Sequence, residues 1–215
     1  VDHKIKMTKI LVTGSAGLIG KQITSDLVGK NFDVYSCYHI ETPESGIQTY
    51  LDFTKPDQIT DVITSIKPEV VIHLAAITDV DMCETQRDMT RIINTEATKL
   101  LVTESAKHNS FFVYVSTDYV FDGKNGMKTE TDMPNPLNFY GKSKLDGEIA
   151  VSNSTSSYSI IRTSTPFGIH KRKKSFPLWL KENLESKKET PVLIDQFTSP
   201  TFVPNLSHML MEVTI

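Results

Sequence analysis

Cysteine, long apolar runs and an excess of basic residues are all scarce in this sequence. Its two cysteines, Cys37 and Cys83, have neither CxxC nor metal-ligand spacing, so we expect reduced, partly buried thiols and no metal site. The longest apolar stretch, Val70 to Ile77, is too short to span a bilayer and contains His73. The N-terminus has no apolar signal core. These absences predict a cytoplasmic protein without membrane contact.

The charge of the chain is close to balanced. A net charge of −3, with 23% charged residues, describes an ordinary soluble surface, whereas nucleic-acid binding usually needs a basic excess. We therefore expect neither DNA nor RNA as a partner. A length of 215 residues allows one sizeable core with a small appended lobe. Residues 1–6, which precede Met7, are left out of the fold argument.

A β-branched run that breaks into three glycines lies near the start of the chain and reads ILVTGSAGLIG from Ile10 to Gly20. The pattern predicts a strand, a turn and a helix that together hold a dinucleotide pyrophosphate. Gly14 permits the tight turn, Gly17 lets the main chain approach a phosphate, and Gly20 lets the helix pack against the strand. The N–H groups and the positive dipole end of the helix would face the anion.

Strand-like and helix-like segments then alternate along the chain. Strands are expected at residues 33–38, 48–52, 69–76, 111–116, 157–162 and 191–195, and helices at 56–66, 87–108, 138–149, 176–186 and 205–213. This alternation predicts an α/β fold with a Rossmann-type, doubly wound parallel sheet. We expect an NAD(P)-binding domain at residues 7–165 and a small substrate-binding lobe at 166–215. His73, in mid-strand, is expected to be a hydrogen-bonded core histidine.

The end of the second strand carries the choice of cofactor. An NAD-specific site usually has a carboxylate here, about 20 residues past the glycines, but this chain has Tyr38 and His39. His39 either donates to a 2′-phosphate or is a solvated loop residue, so we predict NADP and leave NAD open. Asp52 either binds the adenine amino group or caps the next helix. The expected cofactor contacts are Gly14, Ala16, Gly17, Leu18, Ile19, Tyr38, His39, Asp52, Phe53, Ala75, Ala76, Thr78, Tyr140 and Lys144.

Tyr140 and Lys144 are spaced i, i+4 on a predicted helix and share one face. A nearby lysine charge favours the phenolate and brings a tyrosine closer to its working range. Tyr140 would protonate an oxygen while hydride arrives at its carbon, and the Thr117 hydroxyl would hold the same oxygen. The competing interpretation is an ordinary Tyr–Lys contact on an exposed helix; the upstream glycine turn favours the catalytic one.

These motifs carry a family resemblance. The glycine turn, Thr117 and the Tyr140/Lys144 pair resemble the extended short-chain dehydrogenase/reductases. Within them, VSTDYVFDG from Val115, PLNFYGKSKLDGE from Pro136 and DQFTSPT from Asp195 are similar to the dTDP-4-dehydrorhamnose reductases. The resemblance implies reduction of the 4-keto group of a dTDP-activated deoxysugar with a reduced nicotinamide cofactor, in the last step of dTDP-L-rhamnose synthesis.

The resemblance also implies roles for individual residues. Thr117, Tyr140 and Lys144 take the catalytic roles, and the substrate site is implied to include Thr117, Asp118, Tyr119, Thr165 and Gln196. Two departures stand out. Thr165 occupies a position where the family usually has a tryptophan, and the resemblance predicts further elements beyond Ile215 that would close the substrate lobe. A homodimer is left open.

Three functions remain open at this point. The first is the NADP-dependent sugar-nucleotide reductase. The second is a regulatory subunit, because the β-subunit of methionine adenosyltransferase looks similar. The third is another sugar-nucleotide epimerase or dehydratase; a dehydratase is expected to have an acid pair after Thr117, and here Asp118 is followed by Tyr119, which favours a reductase. The basic run from His170 to Lys174 either attracts a substrate diphosphate or is a solvated loop.

Overall fold

The computed structural model describes residues 8–169, 175–195 and 197–214. Its main sheet contains six strands, β1 (Lys9–Thr13), β2 (Asp33–Tyr38), β3 (Ile47–Tyr50), β4 (Val70–His73), β5 (Phe111–Thr117) and β6 (Tyr158–Thr163). All neighbouring pairs are parallel, and the order is β3-β2-β1-β4-β5-β6. This order reverses direction between β1 and β4, which creates a crevice at the carboxyl ends of these strands.

Helices connect the strands on both faces of the sheet. They are α1 (Leu18–Gly29), α2 (Pro56–Ile66), α3 (Val80–Thr85), α4 (Arg87–Thr90), α5 (Ala97–Ala106), α6 (Phe139–Ser152), α7 (Phe176–Glu185) and α8 (Val203–Thr214). A π-helical segment, Arg91–Glu96, joins α4 to α5, and a 3₁₀ turn, Asp118–Val120, follows β5. A second, two-stranded sheet pairs β7 (Pro166–Phe167) with β8 (Thr201–Phe202).

The core has two parts, one on each face of the sheet. On one face, Ile63 of α2 and Leu101 of α5 pack in the same cluster as Leu11 of β1. On the other face, Ile23 of α1 clusters with Ile10 of β1. Parallel strands covered on both faces read as nearly continuous apolar runs, which is how the sequence reveals them. The Rossmann-type, doubly wound fold is therefore confirmed.

His73, at the end of β4, is buried as the sequence predicts. Its Nδ1 lies 2.7 Å from the Thr13 hydroxyl and its Nε2 lies 2.8 Å from the Thr98 hydroxyl. Burial lowers the pKa of His73 to about 3, so the ring is neutral at physiological pH. Because both hydroxyls are buried, the imidazole is a structural link between β1, β4 and α5.

The remaining sequence-level expectations meet mixed outcomes. Cys37 and Cys83 are both free and buried. Among the described residues, none of the helices is long and apolar enough to cross a bilayer. The strand expected at residues 191–195 is wrong: these residues are not in a strand, and Ile194 is 92% exposed. The second small strand instead lies at Thr201–Phe202.

The helix expected at residues 87–108 is also only partly correct. It consists of α4, the π-helical segment and α5, and it ends at Ala106. The π-helical segment contains Asn94, which is 1% exposed and bonds to the backbone of Ile77 through both polar atoms of its amide. A periodicity analysis cannot detect this segment, because its side chains still recur at nearly helical spacing.

The last helix, α8, packs on the main sheet rather than away from it. Leu206 and Leu210 belong to the same core cluster as Ile10 of β1, and the Ser207 hydroxyl donates to the Asp26 carboxylate of α1 at 2.6 Å. The boundary proposed between residues 165 and 166 stays a prediction, but α8 contributes to the core of the sheet domain.

This packing predicts a specific stability difference within α8. Leu210→Ala should lower the free energy of unfolding by about 2–5 kcal/mol, because it empties a site at the centre of the core. Met209, the neighbouring residue, is 56% exposed, so Met209→Ala should change it by no more than about 0.5 kcal/mol. Urea denaturation of both variants measures the difference. Equal effects would contradict the assignment of α8 to the sheet core.

Candidate active site

The glycine turn between β1 and α1 has the geometry that the sequence predicts. Gly14 has φ +66°, and a Cβ there would lie 2.9 Å from the backbone nitrogen of Ala75. A side chain on Gly20 would lie 2.7 Å from Ser15 Cα. The turn therefore needs glycine both for its left-handed backbone and for the close contact of α1 with the turn. Gly14 and Gly17 line two cavities, so the main chain of the turn is accessible to a ligand such as a pyrophosphate.

Two cavities meet at this turn. The larger, of about 530 Å³, runs along the carboxyl ends of β4, β5 and β6, and the smaller, of about 310 Å³, lies beside the end of β2. Predicted residues that line the larger one are Gly14, Gly17, Leu18, Ile19, Ala75, Ala76, Thr78, Thr117, Asp118, Tyr119, Tyr140, Lys144 and Thr165. Predicted residues that line the smaller one are Gly14, Ala16, Gly17, Tyr38, His39, Phe53 and Ala75.

Two predicted site residues are not among these sets. Asp52 lines neither cavity, because its Oδ1 accepts from the Thr54 amide at 2.9 Å and from the Thr54 hydroxyl at 2.7 Å. These bonds also hold the pKa of the Asp52 carboxyl below its usual value. The other oxygen lies 3.8 Å from His39 Nε2. Gln196 lies outside the described residues, as does the basic run at 170–174.

The Asp52 carboxylate therefore stabilises the turn before α2 by accepting hydrogen bonds from Thr54. The N-cap of that helix is Lys55, and no side chain caps the helix there, so Asp52 does not have the capping role that the sequence left open. The predicted contact of Asp52 with adenine remains a prediction, but the local hydrogen bonds occupy one of its two oxygens.

Thr117 is at the centre of the polar cluster at the end of β5. Its hydroxyl donates to Asp118 Oδ1 at 3.1 Å and accepts from the Tyr119 amide at 3.2 Å, and it lies close enough to the Tyr140 phenol to lower the pKa of that group. Asp118 Oδ2 accepts from the Ser164 hydroxyl at 2.6 Å. The hydroxyl, the phenol and the carboxylate therefore meet at the wall of the larger cavity.

Lys144 is the third member of the predicted catalytic set and is only 3% exposed. Its ammonium nitrogen lies 4.1 Å from the centre of the Tyr114 ring, a cation–π contact. Burial lowers the pKa of Lys144 to about 7, and the Glu148 carboxylate one helical turn away acts in the opposite direction. Glu148 itself is held by Arg162 through bonds of 2.9 Å and 2.6 Å.

The pKa of Tyr140 differs from the sequence-based expectation. A phenol beside an ammonium was expected to have a lowered pKa, but burial raises the pKa of Tyr140 to about 12, and the Thr117 hydroxyl only partly opposes this. The expectation is wrong because burial desolvates the phenol, while the Lys144 ammonium stacks on the Tyr114 ring. A buried phenol is fully protonated at neutral pH and can donate its proton.

Sequence reasoning missed a set of residues that supports Tyr140. The Asn94 amide donates to Ser143 Oγ at 3.0 Å, and the Ser143 hydroxyl in turn donates to the Tyr140 carbonyl at 2.8 Å. The same asparagine holds the backbone of Ile77, beside the larger cavity. A buried asparagine inside a long helix was the signal that could have revealed this link, because such a side chain needs specific partners.

The strand order, the glycine turn and the Thr–Tyr–Lys cluster together define an α/β protein of the extended short-chain dehydrogenase/reductase type. Residues 7–215 match the RmlD substrate-binding domain family, and the chain belongs to that family.

Similar proteins include two dTDP-4-dehydrorhamnose reductases and a subunit of methionine adenosyltransferase. The dTDP-4-dehydrorhamnose reductase of Aggregatibacter actinomycetemcomitans is 32% identical over 96% of this chain and 67% of its own length. The methionine adenosyltransferase 2 subunit beta of Xenopus tropicalis is 31% identical over 99% of this chain, which spans 64% of that protein. The dTDP-4-dehydrorhamnose reductase of Bacillus anthracis, solved in complex with NADP, is 32% identical with a TM-score of 0.86, over 97% of this chain and 71% of that one.

Burial of Lys144 predicts how stability depends on pH. Its pKa falls from 10.5 when unfolded to about 7 when folded, so between these values the unfolded state binds more protons and the free energy of unfolding rises with pH. Lys144→Met removes the cost of burying the ammonium. The free energy of unfolding of the variant should therefore exceed that of the unmodified protein at pH 6.5, and this difference should be smaller at pH 9.5.

Urea denaturation at pH 6.5, 8 and 9.5 measures this difference. Lys142, on the exposed side of the same helix, provides the control, because Lys142→Met should give a difference that does not vary with pH. If the difference in free energy of unfolding between Lys144→Met and the unmodified protein stays constant or grows as pH rises, the result would contradict a buried, desolvated Lys144 ammonium.

Proposed function

We propose that this protein is an NADP(H)-dependent reductase of a nucleotide-activated 4-keto-6-deoxysugar, with dTDP-4-dehydro-L-rhamnose as substrate and dTDP-L-rhamnose as product. The observation that carries the proposal is the meeting of the Thr117 hydroxyl and the Tyr140 phenol at a cavity that continues to the glycine turn. The reductases similar to this chain, one of them solved with NADP, support the same assignment.

The reaction needs a hydride donor at the carbonyl carbon and a proton donor at the carbonyl oxygen. Bound NADPH supplies the hydride. The Tyr140 phenol, protonated at neutral pH because of its raised pKa, donates a proton to the carbonyl oxygen, and the Thr117 hydroxyl orients that oxygen. The nearby Lys144, in its charged form, stabilises the phenolate that remains.

The rest of the site assignment belongs to the same proposal. Asp118 and Tyr119 would contact the sugar, since both line the larger cavity next to Thr117. Thr165 lines that cavity too and has φ 41°. A threonine offers a hydroxyl instead of a flat ring at this place, so the sugar would be held by hydrogen bonds rather than by stacking. Residues 166–215 would contribute the substrate side of the cleft.

Tyr140→Phe tests the chemistry. The variant keeps the ring and loses only the proton donor, so kcat for NADPH oxidation with dTDP-4-dehydro-L-rhamnose should fall by at least about 100-fold. The Kd for NADPH, measured by fluorescence quenching, should change less than about twofold. Tyr158→Phe is the matched control, since Tyr158 begins β6 and is 42% exposed. Equal turnover by Tyr140→Phe and the unmodified protein would rule out Tyr140 as the acid.

The end of β2 supports NADP over NAD. Tyr38 and His39 line the smaller cavity, and Asp52 Oδ2 lies 3.8 Å from His39 Nε2. His39→Asp adds a carboxylate where the 2′-phosphate would lie, so the Kd for NADPH should rise at least about tenfold, or about 1.4 kcal/mol. The Kd for NADH should not rise.

His39→Asn separates the loss of the imidazole donor from the effect of the added negative charge. It removes the imidazole donor without adding a charge, so its Kd for NADPH should rise less than that of His39→Asp. Fluorescence titration of the unmodified protein and both variants with NADPH and with NADH measures these dissociation constants. A His39→Asp variant that binds NADPH as tightly as the unmodified protein would contradict a 2′-phosphate site beside His39.

A second candidate is a cofactor-binding regulatory subunit. The observation that favours it is the 31% identity with the Xenopus tropicalis methionine adenosyltransferase 2 subunit beta over 99% of this chain. The two candidates separate in one paired assay, in which the same preparation is tested for sugar-nucleotide reduction and for association with a methionine adenosyltransferase catalytic subunit. Turnover supports the reductase; association without turnover supports the subunit.

A further inference from the structure

Glu84, at the end of α3, makes a long-range contact with the first turn of α6. Its Oε1 accepts from the Phe139 backbone N–H at 2.6 Å, across 55 residues of sequence. Phe139 is the first residue of α6, and an N–H at that position has no partner inside its own helix. The carboxylate therefore satisfies an otherwise free donor at the start of the helix that carries Tyr140 and Lys144.

The same carboxylate is held from the other side. Its Oε2 accepts from Arg87 Nη2 at 2.6 Å, and the Arg87 guanidinium lies 5.3 Å from the centre of the Phe139 ring. Glu84, Arg87 and Phe139 thus form a closed set of contacts, which we call the Glu84 clamp. The Phe139 N–H and Arg87 hold the pKa of Glu84 below its usual value, so the clamp is charged at neutral pH.

The clamp acts immediately beside the proposed proton donor. Tyr140 follows Phe139 in the chain, and its ring packs edge-on against Tyr119 with centres 5.6 Å apart. Other supports of this turn include the Asn138 side chain, which accepts from the Gly141 amide, and the buried Asn94 link. Glu84 is different, because it reaches α6 from α3, whose first residue Val80 lines the larger cavity. One side chain therefore connects two helices, α3 and α6, that both line the larger cavity.

We propose that Glu84 is a positioning residue for the reduction: by holding the Phe139 N–H it fixes the first turn of α6 and sets the Tyr140 phenol against the Thr117 hydroxyl. This inference rests on the proposed reductase function. An error of about 1 Å in the placement of a reacting group can cost about 100-fold in rate, so a contact outside the cavity can control kcat without contacting substrate.

Paired substitutions at Glu84 test the proposal by activity. Glu84→Ala removes the acceptor, so kcat should fall about 10- to 100-fold while the Kd for NADPH changes less than about twofold. Glu84→Gln keeps an amide oxygen at the same reach and should recover most of kcat. Glu96→Ala is the control, since the Glu96 carboxylate forms an exposed 3.5 Å pair with Arg91 on the neighbouring π-helical segment, and its kcat should match the unmodified protein.

Arg87→Met provides a second approach should Glu84→Ala not fold. It leaves the Glu84 carboxylate in place but removes the partner of one of its oxygens, so kcat should also fall, by less than in Glu84→Ala. A Glu84→Ala or Arg87→Met variant with unchanged kcat would overturn the proposal, as would a Glu84→Gln variant no more active than Glu84→Ala.

Hydrogen exchange provides a readout that does not depend on the substrate. The backbone amides of Phe139, Tyr140 and Gly141 should exchange at least about tenfold faster in Glu84→Ala than in Glu96→Ala, with α5 amides unchanged. Unchanged exchange in this turn would overturn the proposal. If the unmodified protein reduces no nucleotide sugar, the reductase assignment fails, and the exchange rates alone decide whether Glu84 fixes the turn.

Discussion

The close approach of α6 to the carboxyl end of β5 is the constraint on which the site depends. A Cβ on Gly141 would overlap the carbonyl oxygen of Tyr119, so the helix can lie this close only because that residue is glycine. The approach brings Tyr140 to the Thr117 hydroxyl and buries Lys144 against the sheet. A helix displaced by the width of one methyl group would separate the phenol from the hydroxyl that orients its target.

The burial that creates this arrangement also sets its electrostatics. Desolvation raises the pKa of Tyr140 and lowers that of Lys144, so it favours the neutral form of both groups. A neutral phenol can give up its proton, and a lysine that titrates near neutral pH can become charged when a negative group forms beside it. The Glu148 carboxylate, buried one turn farther along α6 and held by Arg162 of β6, favours that charged form.

Much of this architecture could be predicted from the sequence, for physical reasons that differ between elements. The six main strands are apolar or alternating runs, and the glycine turn is recognisable because only glycine adopts the φ of Gly14 beside Ala75. The Tyr140/Lys144 pair follows from helical spacing alone. The strand order then brings these segments to one edge of the sheet, which alternation of strands and helices already implies.

What the sequence could not predict depends on contacts between distant residues. The Glu84 bond to Phe139 spans 55 residues, and no local pattern marks a glutamate as the partner of a particular amide. The predicted direction of the Tyr140 pKa shift is wrong for a similar reason. Helical spacing identifies the neighbouring lysine, whereas desolvation depends on everything packed around the ring. The apolar residues 192–194 resemble a strand in sequence, but a strand needs a partner, and β7 pairs with β8 instead.

The most direct test of this account follows a single hydrogen atom. NADPH deuterated at carbon 4 of the nicotinamide, in each of its two stereochemical forms, is incubated with the protein and dTDP-4-dehydro-L-rhamnose, and the product is analysed by NMR. Hydride transfer in the cleft between the glycine turn and Tyr140 predicts one deuterium at carbon 4 of the sugar, from one form of the cofactor only. A product without deuterium from either form, or no product at all, would contradict carbonyl reduction at this site.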